Sequence, residues 1–257
     1  MRPAPRGALA RLVRLPLLPT ALADSAAGYL ISLPPEARPS AGILAALACA
    51  SAGFYLGGMA LNDVADLGRD RTLHPGRPLP SGQVSLGTAW TVFLLLALAS
   101  LCAASITGRF TAFVGGGLFA CVLAYNLVLK RWRLPGCLAM GSCRALNMAM
   151  GFAASFDTLF AGAEAPHEGG MTLVHHGLSP GFWAPAILGA YVFSVTLVST
   201  FEETRPGAAR WVALLLRGII PLDAAMVLAS GRPMATLGVL ALLPLALLLR
   251  RVLPRHE

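Results

Sequence analysis

Long apolar runs separated by short polar connections dominate the chain and predict helices that cross a membrane. Each run is long enough to traverse the ~30 Å hydrocarbon core of a bilayer at ~1.5 Å per residue. The pattern therefore predicts an all-α, polytopic membrane protein with about eight transmembrane helices in a single domain, residues 1–257. The predicted spans cover residues 9–33, 41–62, 84–106, 110–129, 136–156, 181–201, 208–229 and 234–250.

The first predicted span has features of a cleavable secretory signal. It follows a basic N-terminus, and Ala21-Leu22-Ala23 resembles a cleavage site. The apolar run nevertheless continues to Leu33, past the supposed cut, which favours a span that is retained.

Small residues predict where helices approach one another closely. Gly53 and Gly57 form a small-x-x-x-small pair in the second span, and the fourth span contains the glycine run 115–117. In a bilayer such positions allow a neighbouring backbone to come near.

Several spans contain ionisable or polar side chains, which are costly inside a membrane and indicate functional positions. Asp24 lies in the first span and Asp223 in the seventh, where it pairs with Arg217 or faces a polar cavity. Arg144 and Asn147 are three residues apart in the fifth span and share a helix face. We predict that Asp24, Arg144, Asn147 and Asp223 contact substrate.

The composition supports a membrane protein and excludes other classes. Hydrophobic residues make up 56% of the chain and charged residues only 12%, against ~25% in soluble domains. A soluble core, a disordered chain and a nucleic-acid-binding protein are therefore excluded, despite the net charge of +8. The five cysteines form no C-x-x-C pair, so we expect packing roles, without disulfides or a metal site.

The basic residues predict the orientation, because cytoplasmic loops of membrane proteins are enriched in Lys and Arg. If the N-terminus is cytoplasmic, that side carries 15 of the 20 Lys and Arg residues. The opposite side carries Arg38, Arg109 and Arg232. Residues 62–82 and the segment around Glu202 then both face the cytoplasm, and the positive charge favours contact with anionic membrane lipids.

Three carboxylates follow the second span within eight residues. Asp63, Asp66 and Asp70 stand at i, i+3 and i+7 of a helix, so they project from one face, and Asn62 precedes Asp66 by one turn. Mutual repulsion requires a compensating cation, and hard oxygen ligands suit Mg²⁺, which shares its coordination shell with substrate phosphates. The alternative is a solvated acidic helix end.

A stiff basic loop comes directly after these acids. It carries Arg69, Arg71 and Arg77 among three prolines, an arrangement suited to binding a diphosphate.

The motif N-D-x-x-D-x-x-x-D followed by H-P-x-R-P-L-P-S-G resembles the first aspartate motif of the UbiA superfamily of intramembrane prenyltransferases. The resemblance implies a helix bundle around a central cavity, with nine spans rather than eight. It also implies an enzyme that uses Mg²⁺ to bind a prenyl diphosphate donor and transfers the prenyl group to a lipophilic or aromatic acceptor. Asn62, Asp63, Asp66 and Asp70 would then hold the metal, with Asp63 and Asp66 catalytic.

Further positions follow from the same resemblance. The sequence Y-N-L-V-L-K is similar to the family's segment at the end of the fourth helix. The family resemblance implies that Lys130, as a catalytic residue, and Arg77 contact the diphosphate. It also implies that Tyr125 and Asn126 contact the substrate, and the aromatic face of Tyr125 would stabilise an allylic cation. The alternative for Lys130 is anchoring at the membrane surface.

The family's second acidic motif is altered in this chain. Glu202 and Glu203 are adjacent, and Pro206 stands four residues after Glu202. Adjacent helical residues point ~100° apart, so one of them reaches the cavity as a catalytic and metal-binding residue. A second Mg²⁺ is then held by Glu202 with Asp223 or water.

The polar segment 157–180 carries three histidines and two glutamates, whose spacing predicts a solvated loop rather than a metal site.

Two stretches, L-P-G-C-L-A-M-G-S-C-R-A-L-N and R-G-I-I-P-L-D-A-A-M, resemble UbiA-like proteins of bacterial Ebo clusters. This resemblance implies an acceptor outside the usual quinone and haem pathways. Together with the distribution of basic residues, we expect an integral protein of the bacterial inner membrane with its active-site loops in the cytoplasm. The altered second motif leaves an alternative function, a non-catalytic carrier or assembly partner that binds polyprenyl diphosphate. A CDP-alcohol phosphotransferase is excluded, because no Asp precedes a Gly in this chain.

Overall fold

The computed structural model describes residues 7–34, 37–162, 180–201, 205 and 207–252, and every regular element in these ranges is a helix. The α-helices are α1 Ala8–Leu12, α2 Leu18–Ser32, α3 Ala41–Leu73, α4 Leu86–Thr107, α5 Arg109–Leu127, α6 Arg133–Gly162, α7 Ala184–Ser199, α8 Ala208–Arg217, α9 Ile219–Ala229, α10 Pro233–Leu240 and α11 Leu242–Val252. Short 3-10 turns occupy Leu15–Leu17, Leu129–Arg131 and Pro180–Trp183. The predicted all-α class is confirmed for this part of the chain.

Five stretches among the described residues are long and apolar enough to cross a membrane. They are α3, α4 and α5, together with the helix pairs Ala208–Ala229 and Pro233–Val252; α7 is a shorter apolar helix. These stretches support a polytopic membrane protein. The count of eight or nine spans stays a prediction.

Prolines divide three of the predicted spans. The span 9–33 is broken around Arg14, which adopts a left-handed backbone (φ 51°), and α2 begins only at Leu18. Pro16 removes an amide donor and disfavours the helical conformation of the residue before it. The spans 208–229 and 234–250 are divided at Gly218 and Ala241, each three residues before a proline that has no amide to donate to the carbonyl four residues earlier.

Glycines set the distance between α2 and α6. A Cβ at Gly28 would overlap the Met148 carbonyl, and a Cβ at Gly151 would overlap the Ser25 carbonyl. This close approach places Asp24 of α2 against the polar residues of α6. The predicted pair Gly53 and Gly57 likewise faces α4, with the nearest α4 backbone atom 2.8 Å from the Cβ position of Gly53.

Contrary to the prediction, the three glycines of the run 115–117 in α5 do not all contact a neighbouring helix. The Cβ position of Gly115 lies 3.0 Å from the Ala104 side chain, but Gly116 and Gly117 have no neighbour within 4 Å. Only the first glycine of the run therefore serves helix packing.

The N-terminus of α5 is capped from a different helix. The Asp157 carboxylate of α6 accepts hydrogen bonds from the amides of Phe110 (3.0 Å) and Thr111 (2.9 Å) and from the Thr111 hydroxyl (2.7 Å). Amide donors at a helix start lack partners within the helix, and a carboxylate there also opposes the positive end of the helix dipole. Asp157 therefore fixes α5 to α6.

We expect Gly151→Ala to reduce the free energy of unfolding by about 1–3 kcal/mol, because the added methyl group overpacks the α2–α6 contact. Gly116→Ala is the matched control, since its Cβ meets open space. This control is expected to gain up to about 1 kcal/mol from helix propensity. Thermal unfolding of the full chain in detergent, followed by circular dichroism, measures both. Equal unfolding midpoints for the two variants would contradict the assigned packing.

Candidate active site

One face of α3 carries both the wall of a cavity and the predicted acidic motif. Tyr55, Met59, Asn62, Asp66 and Asp70 recur at helical spacing along this face. The helix continues past the predicted end of the span to Leu73, so the whole motif is helical. The first two residues line the cavity, and the other three follow toward the C-terminal end of α3.

Each of the three predicted carboxylates is paired with its own cation. Asp63 lies 3.4 Å from Arg14, Asp66 lies 2.7 Å from Lys130, and Asp70 lies 2.6 Å from Arg77. Asp63 and Asp70 are buried, at 4% and 2% exposure, whereas Asp66 is partly accessible. The three cations come from three separate segments, the α1–α2 break, the α5–α6 connection and the loop after α3. Charge pairing therefore gathers these segments around the end of α3.

Lys130 links α5 and α6 to the acidic motif. Its ammonium group donates to the Asn62 side-chain oxygen (3.1 Å) and to the Asn62 carbonyl (3.4 Å), in addition to pairing with Asp66. Asn62 is buried at 8% exposure. Lys130 therefore lies at the acidic motif, and its role as a catalytic residue on the diphosphate stays a prediction.

The loop after α3 is ordered by its own backbone bonds. The Arg77 amide donates to the His74 carbonyl (3.1 Å), and the Val84 amide donates to the Pro78 carbonyl (3.0 Å). Leu79 and Val84 pack into an apolar cluster with α3 and α4. This loop therefore presents the Arg77 guanidinium to Asp70 from a fixed backbone.

The described residues hold no group of three or more His, Cys, Asp or Glu side chains arranged to bind a metal ion. Asp63, Asp66 and Asp70 lie on one helix as predicted, but their carboxylates face separate cations rather than a common point. The chemistry of the donor set, three carboxylates and the Asn62 amide oxygen, fits Mg²⁺. Their assignment as metal ligands stays a prediction.

Glu202 and Glu203, the predicted second acidic site, lie outside the residues that the structure describes. The same holds for residues 163–179, most of the predicted solvated loop, whose first residues instead belong to α6.

A cavity of about 90 Å³ opens among α2, α3, α5 and α6. Most of its lining is apolar or aromatic, and predicted site residues occupy both of its ends. Tyr125 interacts electrostatically with Arg14 and Asp66, so it lies between the acidic motif and the cavity. The lining residues are Ala21, Ser51, Phe54, Tyr55, Gly58, Met59, Leu118, Val122, Tyr125, Asn126, Met140, Cys143, Arg144 and Asn147.

Four predicted polar residues meet at the inner end of this cavity. Arg144 donates to Asp24 at 2.8 Å, and Asn147 donates to the other oxygen of the same carboxylate at 3.2 Å. Asp24 and Asp223 are both fully buried (0% exposure). Asp223 is close enough to Asp24 and Arg144 for electrostatic interaction, but neither of its carboxylate oxygens has a hydrogen-bond partner among the described residues. Its contact with substrate stays a prediction.

Three residues of the site were not singled out from the sequence. Arg14 pairs with Asp63, Tyr55 donates to the Arg14 carbonyl (3.3 Å), and Ser51 donates to the Ala21 carbonyl (2.8 Å). The prolines at positions 16 and 19 were the signal for a break next to Arg14. Nothing in the local pattern distinguishes Tyr55 or Ser51 from packing residues.

The fold and the site together define a helical membrane protein with an acidic, arginine-lined opening above an apolar cavity. The sequence profile of the UbiA prenyltransferase family matches residues 17–256, and the chain belongs to that family. The resemblance noted from the aspartate motif is thus confirmed. These matches do not bear on the resemblance to Ebo-cluster proteins, which stays a prediction.

Individual relatives agree with the family assignment. The chain is 31% identical over 198 residues to a digeranylgeranylglyceryl phosphate synthase of Metallosphaera sedula, covering 75% of this chain and 62% of that protein. A similar synthase of Methanoculleus marisnigri is 30% identical over 142 residues, covering 55% of this chain and 46% of that protein. The chain thus spans less than two thirds of the length of these curated relatives.

A solved structure shows the same fold. A UbiA homologue from Archaeoglobus fulgidus bound to GPP and Mg²⁺ superposes with a TM-score of 0.54 at 19% identity, covering 95% of this chain and 86% of that one.

Arg144→Leu is expected to destabilise the protein by about 3–5 kcal/mol, because it leaves the Asp24 carboxylate buried without its cation. The double variant Asp24→Leu, Arg144→Leu is expected to recover most of this loss, since both charges are then removed. Thermal unfolding in detergent measures the coupling between the two positions. Arg109→Leu, at an exposed arginine, serves as control and is expected to change stability by about 0.5 kcal/mol or less. A double variant no more stable than Arg144→Leu would rule out the pair as the cause.

Proposed function

We propose that this protein transfers a prenyl group from a prenyl diphosphate to a lipophilic or aromatic acceptor within the membrane, with Mg²⁺ as cofactor. The observation that carries this proposal is the set of three acid–cation pairs at the mouth of an apolar cavity. The family's activity and the GPP and Mg²⁺ bound by the Archaeoglobus fulgidus homologue support it.

The paired cations can exchange partners when a diphosphate binds. Arg14, Arg77 and Lys130 each contact a carboxylate that has the hard oxygen atoms a metal prefers. Asn62, Asp63, Asp66 and Asp70 would hold the metal, and Arg14, Arg77 and Lys130 would then be available to diphosphate oxygens. Mg²⁺ supplies Lewis-acid neutralisation of the charge that develops on the leaving diphosphate. Glu202 and Glu203 are proposed to hold a second ion.

The cavity positions the prenyl chain and excludes water. Its wall of Phe54, Met59, Leu118 and Val122 suits an isoprenoid tail, and a dry setting strengthens every charge contact at its mouth. Tyr125 stands between the mouth and the cavity, where its ring face can stabilise a developing allylic cation by up to ~2 kcal/mol. Asn126 follows it on the cavity wall.

The membrane setting follows from the same arrangement. The Lys and Arg distribution supports a cytoplasmic N-terminus, with the loop after α3 on the same side. We propose eight or nine spans in all. We propose the bacterial inner membrane as the location, as the resemblance to Ebo-cluster proteins implies. The donor then enters from the cytoplasmic leaflet with its diphosphate toward water.

Asp63→Ala and Asp66→Ala are each expected to reduce prenyl transfer at least about a hundredfold, because charge stabilisation at the leaving group is lost. The assay follows labelled geranylgeranyl diphosphate into the lipid fraction of membranes that contain equal amounts of each variant. Thr72→Ala, at an exposed position in the last turn of the same helix, is the control. Prenyl transfer that persists in either alanine variant would contradict the assignment of these aspartates as metal ligands.

The same assay separates catalysis from simple binding. Chelation with EDTA is expected to abolish transfer, and added Mg²⁺ to restore it. Mg²⁺-dependent binding of the donor without product in a screen of acceptors would instead identify a non-catalytic carrier.

Arg77→Gln is expected to weaken donor binding about tenfold to a hundredfold, because a charged hydrogen bond to the diphosphate is lost. Arg71→Gln is the control: it removes the same charge from an exposed position on the last turn of α3. Equilibrium binding of labelled geranyl diphosphate to the purified protein in lipid nanodiscs compares them. Similar losses in both variants would indicate a general charge effect rather than direct contact.

A further inference from the structure

Two cysteine side chains on neighbouring helices are in direct contact. The Cys143 thiol of α6 donates to the Cys121 sulfur atom of α5 at 3.4 Å, and the Cys121 thiol donates to the Ala139 carbonyl of α6 at 3.5 Å. Both cysteines are free thiols. Helix packing therefore brings together two sulfur atoms whose residues are 22 positions apart in the sequence.

A disulfide between these two residues requires only a small movement. The sulfur atoms of a disulfide are about 2.0 Å apart, so the two sulfurs have to approach by about 1.4 Å from their present contact. The bond to the Ala139 carbonyl holds the Cys121 side chain against α6, so both sulfurs already lie at the interface between the helices. Side-chain rotation with a small shift of one helix can supply the remaining approach.

The cavity gives one of the thiols access to a small oxidant. Cys143 lies on the cavity wall, and Cys121 is half-buried on α5 beside Val122 of the same wall. The cavity volume of about 90 Å³ is sufficient for a molecule as small as hydrogen peroxide, which is little larger than water. A cysteine that reacts with peroxide forms a sulfenic acid, which a second cysteine within reach converts to a disulfide. Cys121 is in that position relative to Cys143.

We propose that Cys121 and Cys143 form an oxidation-sensitive thiol pair, which a peroxide converts into a disulfide that joins α5 to α6. The Cys143 sulfur attacks a peroxide oxygen and breaks the O–O bond, which gives a sulfenic acid and one water molecule. The Cys121 sulfur then displaces the hydroxyl group, so the S–S bond forms and a second water molecule leaves. The two thiols lose two electrons and two protons, and one hydrogen peroxide molecule accepts them.

The disulfide would lie close to residues of the candidate active site. Tyr125 follows Cys121 by one turn of α5, and Asn147 follows Cys143 by one turn of α6, so each cysteine shares a helix face with a cavity residue. Drawing the sulfurs together shifts the two helices, and a displacement of about 1 Å can slow a reaction about a hundredfold. The oxidised protein is therefore expected to transfer prenyl groups more slowly. This consequence rests on the proposed function, whereas disulfide formation does not.

A single proteolytic cut reports the disulfide. The sequence contains one lysine, Lys130, which lies between the two cysteines, so cleavage after lysine divides the chain into residues 1–130 and 131–257. The full chain in lipid nanodiscs is treated with hydrogen peroxide, and its remaining thiols are blocked with N-ethylmaleimide. It is then denatured and cleaved with endoproteinase Lys-C. The two fragments are expected to migrate together on a denaturing gel without reductant and to separate after addition of dithiothreitol.

Cysteine variants assign the link to the two sulfurs. Cys121→Ser and Cys143→Ser are each expected to release the fragments without reductant. Cys102→Ser and Cys137→Ser are the matched controls, one in each fragment, and are expected to keep the fragments linked. Mass spectrometry of the unreduced digest of the unsubstituted chain identifies the linked peptides independently of any variant. Fragments of this chain that separate after peroxide treatment, or a link through another cysteine, would overturn the inference.

Prenyl transfer measures the consequence for catalysis. Peroxide treatment is expected to slow transfer by the unsubstituted chain at least about tenfold, and dithiothreitol is expected to restore it. Cys121→Ser, whose side chain is not part of the cavity lining, is expected to keep its activity in peroxide. A disulfide that forms without slower transfer, or equal peroxide sensitivity in Cys121→Ser, would overturn the effect on catalysis. Absence of transfer before oxidation would overturn only the proposed function, because the fragment assay does not depend on activity.

Discussion

Three acid–cation pairs at the end of α3 organise this protein. Asp63, Asp66 and Asp70 are held near a low-dielectric cavity, where unpaired carboxylates would be strongly unfavourable. Their partners come from the break before α2, the connection after α5 and the loop after α3. The requirement to neutralise these acids therefore brings three distant parts of the chain together at one opening. The same pairing keeps the cations next to the place where the donor's diphosphate is proposed to bind.

A second charge cluster occupies the opposite end of the cavity and has a different character. Asp24, Arg144, Asn147 and Asp223 are buried within the helix bundle, and glycines at the α2–α6 contact bring them together. The two clusters are separated by an apolar wall on which Tyr125 lies nearest the acids.

The sequence predicted those features that depend on local pattern. The helical class and the placement of Asp63, Asp66 and Asp70 on one helix followed from spacing. The family motif pointed to Arg77 and Lys130 as diphosphate contacts, but not to their pairing with these acids. Partners that depend on tertiary packing were not predictable. Arg14 belongs to the basic N-terminus, which indicates only the membrane orientation. Its contact with Asp63 was not predictable, because that contact requires the chain to break at the following prolines. The separate cations of the three carboxylates were also missed, since a helical register specifies a shared face but not which neighbours reach it.

The length of α3 sets the depth of the chemistry. Its 33 residues extend about 50 Å, well beyond a hydrocarbon core of about 30 Å, so its final turns project into the headgroup layer. The acidic motif lies in the part of the helix that extends beyond this thickness. Bilayer thickness then becomes a variable of the reaction, because a thicker membrane would draw this helix inward or change its tilt. The lipid composition of the host membrane would in this way govern how much water the diphosphate meets.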